Sequence, residues 1–257
     1  MKGLLYGVLL VGCATAGREE VVGGRPDGGG GGGGTGKDGS MVPLPDAAPL
    51  PDAPAGQQQV TLAQTNDNTM AVGRAIACSS SILGVPVGTR DNSWYRVFKL
   101  ADYGVTSSFE LQRVTFYTDY AYGGTGVTQP ATLKIGTYSG TLDADTLTVA
   151  SITPVSSMAI TIPDADSSDG VDPPVQTNIS ATIPAGSNLI VELALPDGYN
   201  DGNFYYIGVS AGGEMKKGYI RATPAGCNMT TPKSLTSAGG LNVADNSILL
   251  TVTGTKM

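Results

Sequence analysis

The sequence contains no histidine. Ser-His-Asp and Cys-His nucleophilic machinery, histidine-ligated zinc and a proximal haem histidine are therefore excluded. Charge is sparse: 14% of the 257 residues are Asp, Glu, Lys or Arg, and the net charge is −7. An acidic chain offers no basic face to phosphates, which excludes nucleic acid as a partner. Aromatic residues make up 6%, with a single tryptophan, so aliphatic side chains must fill most of any core. No run of about 18–20 apolar residues occurs, and a membrane-spanning helix is excluded with it.

Glycine and proline are what the chain has in excess, with 37 and 16 residues. That much backbone punctuation argues against long helices and for many short strands joined by tight turns. Part of the excess is concentrated early in the chain. Gly28 to Gly34 is unbroken glycine, and Pro43-Leu44-Pro45-Asp46-Ala47-Ala48 is followed by the near-copy Pro49-Leu50-Pro51-Asp52-Ala53-Pro54. Oligoglycine is a flexible coil, and the proline repeat favours extended polyproline II. No strand precedes the glycines and no Gly-Lys-Ser/Thr follows them, so they do not form a phosphate loop. Residues 13–59 are expected to be a disordered tether with a reach of roughly 40–100 Å.

Residues 60–257 read as the folded domain. Strands are expected at Trp94 to Leu100, Glu110 to Thr118, Ala131 to Tyr138, Asn178 to Ile183, Asn188 to Leu195, Asn203 to Val209 and Ser247 to Thr253. Further runs lie near 60–63, 71–78, 146–152, 158–162 and 219–221. Leu189, Val191, Leu193 and Leu195 share one face at period two. Turn signals such as Pro184-Ala185-Gly186-Ser187 and Pro196-Asp197-Gly198 separate the runs. The expected fold is an all-β antiparallel sandwich of jelly-roll type.

The three cysteines, Cys13, Cys78 and Cys227, are an odd number, so in an exported protein one thiol needs separate chemistry. Met1-Lys2 is a minimal positive segment, and Leu4 to Val11 is a short apolar one, as in an export signal. The segment ends Leu10-Val11-Gly12-Cys13, which resembles the lipobox of bacterial lipoproteins. The resemblance implies that residues 1–12 are a signal peptide, that cleavage precedes Cys13, and that Cys13 is acylated. Two or three acyl chains, each CH₂ worth about 0.8 kcal/mol when buried, make a stable anchor. Ala14 in place of an aspartate points, by the same resemblance, to the outer membrane or cell surface of a Gram-negative bacterium. Cys78 and Cys227 then remain, in an oxidising compartment, with one pairing open to them. A structural disulfide between them would stabilise the fold by up to about 5 kcal/mol.

The domain carries a second set of recognisable strings. Asp91-Asn92-Ser93-Trp94-Tyr95-Arg96-Val97-Phe98-Lys99-Leu100 is followed by Gly104-Val105-Thr106 and Val114. Later come Pro184-Ala185-Gly186-Ser187-Asn188-Leu189-Ile190-Val191-Glu192-Leu193, Tyr219-Ile220-Arg221-Ala222, Cys227 and Thr231-Pro232. This order, from about Ala71 to Gly254, resembles a β-sandwich module repeated in secreted and surface multidomain proteins of bacteria, often beside a protease or sorting domain. In that family, cysteines fall where Cys78 and Cys227 fall here. The resemblance implies a fold and a location but no activity.

Several residue groups are candidates for chemistry. Trp94, Arg96, Phe98 and Leu100 share a strand face, so Arg96 needs a carboxylate if that face is the core. Glu110, Glu192 and Glu214 are the glutamates of the domain, and Glu192, flanked by Ile190 and Ala194, is the expected partner. A clamp by Arg96 on a ligand carboxylate is the functional alternative. Asp164, Asp166, Asp169 and Asp172 surround Gly170, an arrangement of oxygen donors and a sharp turn that suits calcium, although the spacing is not that of an EF-hand. A solvated acidic loop is the other reading of the same residues. Tyr120, Tyr122, Tyr199, Asp201 and Asn203 are expected at a sugar-stacking platform, or at a plain aromatic rim with Phe116 and Phe204 packing inward. Lys216-Lys217, with Tyr219 and Arg221, is the single basic cluster.

No catalytic set is assigned and no cofactor beyond calcium is expected. The function expected is non-catalytic: a lipid-anchored surface domain for adhesion to a glycan or a surface protein, joined to the membrane through acyl chains on Cys13. The alternatives are a structural component of the envelope or of an extracellular assembly, and a carboxylate-dependent hydrolase.

Overall fold

A computed structural model describes residues 13–15, 58–65, 67–82, 85–124, 128–167, 172–223, 227–238 and 246–257. The signal segment 1–12 and residues 16–57 of the expected tether lie outside the described residues; the two described ends of that tether are strand and not coil, Cys13–Thr15 paired with residues 76–78 and residues 58–59 paired with residues 255–256. The protein is an all-β antiparallel sandwich, as the strand spacing predicts, built from three sheets.

One layer is a six-stranded sheet. It contains β5 (Asn92–Lys99), β8 (Gln129–Tyr138), β9 (Ile152–Ile162), β12 (Asn188–Leu195), β14 (Gly218–Ala222) and β15 (Met229–Ser234), in the order β15-β14-β5-β12-β8-β9. Two sheets oppose it. A four-stranded sheet orders β11 (Val175–Ile183), β6 (Phe109–Phe116), β17 (Leu250–Lys256) and β2 (Gln58–Leu62). A seven-stranded sheet runs β1 (Cys13–Thr15), β3 (Ala75–Ile82), β13 (Phe204–Ser210), β7 (Thr118–Tyr122) and β10 (Ala165–Asp166). In it, β4 (Val85–Thr89) pairs with β3, and β16 (Ser247–Ile248) pairs with β13.

The two smaller sheets share strands. The chain of β6 passes through Tyr117 into β7, and that of β16 passes through Leu249 into β17. The two pairs splay apart at this point, and β13 enters the gap. Three backbone bonds close the junction: Tyr117 N–H to the Leu249 carbonyl at 3.2 Å, Leu249 N–H to Gly208 at 3.1 Å, and Gly208 N–H to Tyr117 at 2.8 Å.

Period-two patterning explains the faces. Along β11, Thr177, Ile179, Ala181 and Ile183 are buried while Gln176, Asn178, Ser180 and Thr182 are exposed. Leu189, Val191, Leu193 and Leu195 all enter the main core, as their spacing predicts. Between the layers, the Trp94 ring meets Tyr205 edge-on at 5.3 Å, and Trp94 Nε1 donates to the Ile76 carbonyl at 3.0 Å. Cys78 and Cys227 form the expected disulfide, joining β3 to the segment before β15 with Cα atoms 5.7 Å apart.

β5 is buried on both faces. Its inner residues Trp94 and Phe98 lie in the main core, while Tyr95 and Val97 belong to a second, smaller cluster with Tyr138, Leu147, Ile190 and Tyr219. That cluster covers one half of the sheet's outer face and is capped by residues 139–151. The strand expected at 146–152 is not formed. Thr146 makes a single bridge to Lys233, Val149–Ser151 is a 3₁₀ turn, and Leu147 serves instead as an apolar plug.

Gly254 has a steric reason to be glycine. The register shifts between Thr253 and Gly254, where β6 carries an extra residue. A Cβ there would run into the Glu110 carbonyl oxygen and stand 2.6 Å from the Phe109 ring. Gly254→Ala is expected to cost about 1–3 kcal/mol. Urea denaturation measures it, and an unchanged midpoint would contradict the assignment.

Candidate binding face

Beyond the apolar plug, the outer face of the six-stranded sheet is bare. Its outward positions are small: Thr132 on β8, Ala159 and Thr161 on β9, and Ala194 on β12. Short side chains between longer ones leave an open depression of about 720 Å³. Asp91, Lys134, Asp197 and Arg221 stand around it.

Each charge at the rim is held by a neighbour. Lys134 Nζ lies 3.2 Å from Glu192 Oε1, which also accepts from the Tyr95 hydroxyl at 3.1 Å. Arg221 donates to Ser93 Oγ at 3.2 Å and faces Asp91 at 4.0 Å. Asp197 pairs with Arg90 at 3.0 Å, and the Arg90 guanidinium lies over the Tyr199 ring at 3.7 Å. Burial pushes the Tyr95 hydroxyl above its usual range, with the Glu192 charge adding to the effect. The result is a set of oriented donors and acceptors of both signs around a flat, small-residue floor. Such a surface can hydrogen-bond the hydroxyls of an extended ligand laid along it.

The expected Arg96–Glu192 pair is not formed. In the β5–β12 ladder, Glu192 is opposite Tyr95 and Val191 is opposite Arg96, so period two sends Glu192 outward and Arg96 inward. Arg96 is fully buried and pairs with Glu214 at 3.3 Å. It also donates to the carbonyls of Lys216 at 2.9 Å and Ile248 at 2.6 Å, and to Ser247 Oγ at 2.7 Å. Desolvation raises the Glu214 carboxyl to about 7, against the opposing pull of Arg96 and the Gly218 N–H. A carboxyl near 7 has the acidity of a general acid, but this one faces the core and not the depression.

The tyrosine candidates are divided. Tyr120 and Tyr122 lie on β7, in the opposite layer from the depression. Tyr120 packs 6.3 Å from Phe204 and 6.1 Å from Tyr206. Phe204 therefore shares the tyrosine face, and Tyr205 turns into the core, one residue out of phase with the expectation; Phe116 packs inward as expected. Asn203 is buried and accepts from Gly124 N–H at 3.0 Å, a turn-fixing role, while Asp201 is exposed on that turn. Tyr199 alone approaches the rim of the depression, through Arg90 and Asp197.

The aspartate group is committed to loop structure. Asp164 Oδ1 accepts from Gly123 N–H at 3.0 Å, and Asp172 Oδ2 accepts from Asp166 N–H at 3.2 Å. Asp169 lies outside the described residues. Among the described residues, no group of three or more carboxylate, cysteine or histidine side chains is placed to hold a metal. The basic cluster is neutralised in part: Lys216 meets Asp143 at 3.3 Å, and Lys217 meets Asp145 at 2.6 Å. Lys134, Asp91 and Asp197 were not evident as site residues from spacing. Alternation identifies the small outward positions on each strand, but only the register lines them up.

Neither a family model, nor a curated protein, nor a solved structure matches the chain.

At pH 8, Arg96→Met is expected to cost about 3–5 kcal/mol, because it strands the buried Glu214 carboxylate. The folded Glu214 holds its proton up to about 7, while the unfolded carboxyl releases it near 4.5. Its contribution to stability is present below 4.5 and is lost as pH rises through 7. Urea unfolding at several pH values should show this decline in the wild type and a flatter profile in Glu214→Gln. Parallel profiles would contradict the burial argument.

Proposed function

We propose that the protein is a lipid-anchored surface protein of a Gram-negative bacterium that displays a non-catalytic β-sandwich and binds an extended glycan. The depression on the outer face of the six-stranded sheet carries the reading. Its floor of Thr132, Ala159, Thr161 and Ala194 suits a flat chain. Lys134, Arg221, Asp91 and Asp197 supply hydrogen-bonding groups that neighbouring residues hold in fixed orientation. Preorganised polar groups lower the ordering cost of binding, which suits recognition of weakly hydrophobic ligands such as sugars.

The anchor reading rests on the resemblance of Leu10-Val11-Gly12-Cys13 to a lipobox. The Cys78–Cys227 disulfide fits an oxidising compartment. In β1, Cys13 lies opposite Cys78 of β3, so acyl chains on Cys13 would hold the domain directly against the bilayer.

A glycan array probed with the full chain carrying Cys13→Ser tests the binding reading. Binding is expected, and Lys134→Ala or Arg221→Ala should weaken it about 10-fold or more, the loss of one charge-assisted hydrogen bond. A blank array, with or without calcium, would overturn it. The anchor is checked separately by metabolic labelling with palmitate. The wild-type chain should incorporate the label and Cys13→Ser should not; absence of label in the wild type removes the anchor.

A further inference from the structure

The six-stranded sheet treats its two edges differently. At one edge, β15 carries Pro232 and Lys233 and is crossed by the 145–147 segment. That segment bonds the Pro232 carbonyl from Leu147 N–H at 3.0 Å and accepts from Ser234 N–H at 2.8 Å through Asp145. Charge, proline and a covering segment are the usual ways a protein prevents an edge from recruiting another strand.

The opposite edge is β9, eleven residues long. No charged residue occurs in it. Among the described residues, no backbone group bonds its outer edge; β11 comes alongside in the other layer but pairs with β6. The first part of β9 is nevertheless blunted. Pro154 lacks an N–H, and the register shift opposite Ile135 and Gly136 leaves Val155 as a bulge. The regular stretch is Ser156 to Ile162, closed at its far end by Pro163. That stretch has seven uncharged, proline-free residues and presents a free edge.

Its sequence is complementary to itself. Consider two antiparallel copies related by a twofold axis through Ala159. On the outer face, Ser157 stands opposite Thr161 and Ala159 opposite its own copy. On the inner face, Met158 stands opposite Ile160 and Ser156 opposite Ile162. Outside, hydroxyl meets hydroxyl and methyl meets methyl. Inside, apolar meets apolar in the two central pairs, with Ser156 against Ile162 at the ends, and the central pairs are those that favourable cross-strand pairing requires. Met158 and Ile160 already pack against the main core, so the added strand would extend that core and not start a new one.

We propose that Ser156–Ile162 is a homodimer interface, in which two copies join their six-stranded sheets edge to edge into one continuous sheet. The axis is perpendicular to the sheet, so both outer faces look the same way. Ala159 and Thr161 belong to the floor of the depression, and the axis therefore brings the two floors together. If the glycan reading holds, a long chain could engage both, with the gain in effective concentration that linkage gives. The dimer itself does not depend on that reading.

Sedimentation equilibrium of the full chain carrying Cys13→Ser, with no glycan present, tests the interface. The dimer mass is expected. Ala159 is exposed, so substitutions there leave the fold intact. Ala159→Lys or Ala159→Glu places like charges on the axis, and each variant alone should be monomeric. An equimolar mixture of the two should recover the dimer, which also shows that both are folded. A wild-type monomer at the highest soluble concentration would overturn the proposal. So would a dimer that persists in either variant, or a mixture that stays monomeric.

Discussion

The guanidinium of Arg96 lies in the middle of an otherwise apolar core, and its bonds cross from one layer to the other. It belongs to β5 in the six-stranded sheet, yet it donates to Ser247 and Ile248 in β16 and to the Lys216 carbonyl beside β14. A buried charge is costly unless it is paired, and removing one partner is far costlier than never having the pair. Here the two terminal nitrogens carry all the bonds, and Nε has no partner among the described residues. The segments carrying residue 214, residue 216 and residues 247–248 are therefore fixed relative to β5. Because β16 pairs with β13, the same interaction holds the point where the smaller sheets splay. A methyl-rich side chain could fill the space, but it would not specify which carbonyls and which carboxylate come to the site.

The second constraint is the unequal treatment of the six-stranded sheet. Apart from Arg96, its inner face is mainly apolar, but its outer face is split. Leu147 and Leu142, with Ile152, cover Tyr95, Val97, Ile190 and Tyr219, while a few residues further along the same strands the outward positions shrink to Thr132, Ser93 and Ala194. The depression exists because the covering segment stops. Salt bridges at its rim are individually weak, since exposed pairs contribute about 0–1 kcal/mol. Their value here is orientation. The Cys78–Cys227 bond and the Trp94–Ile76 hydrogen bond tie the two layers together close to this face.

Much of the architecture was legible from local pattern. The run Leu189, Val191, Leu193 and Leu195 marks its own core face, and the disulfide expected of Cys78 and Cys227 is formed. The failures have a common origin. Local alternation lets both Glu192 and Arg96 face inward on their own strands, but the β5–β12 register puts Glu192 beside Tyr95. Phe204 and Tyr205 exchanged faces for the same reason: alternation fixes relative phase within a strand, not absolute phase against a sheet. The segment 146–152 has the composition of a strand, yet the second apolar cluster recruits Leu147 as a plug. Chain proximity suggests one tyrosine group, but the fold sends Tyr120 and Tyr122 to one layer while Tyr199 turns toward Arg90 near the other.

Composition and local order by themselves determined the class of molecule. With glycine and proline between alternating aliphatic runs, the chain favours short strands over long helices, because backbone punctuation and period-two alternation each act over a few residues. The tertiary structure alone decided where the polar groups meet. Arg96 reaches Glu214 across 118 positions and Ile248 across 152, and Lys134 reaches Glu192 across 58. Such contacts depend on strand order, register and bulges, which are set by the packing of the whole sandwich. The missing histidine narrowed the chemistry from the start; the place where binding could occur was settled only when three strands brought their smallest outward residues side by side.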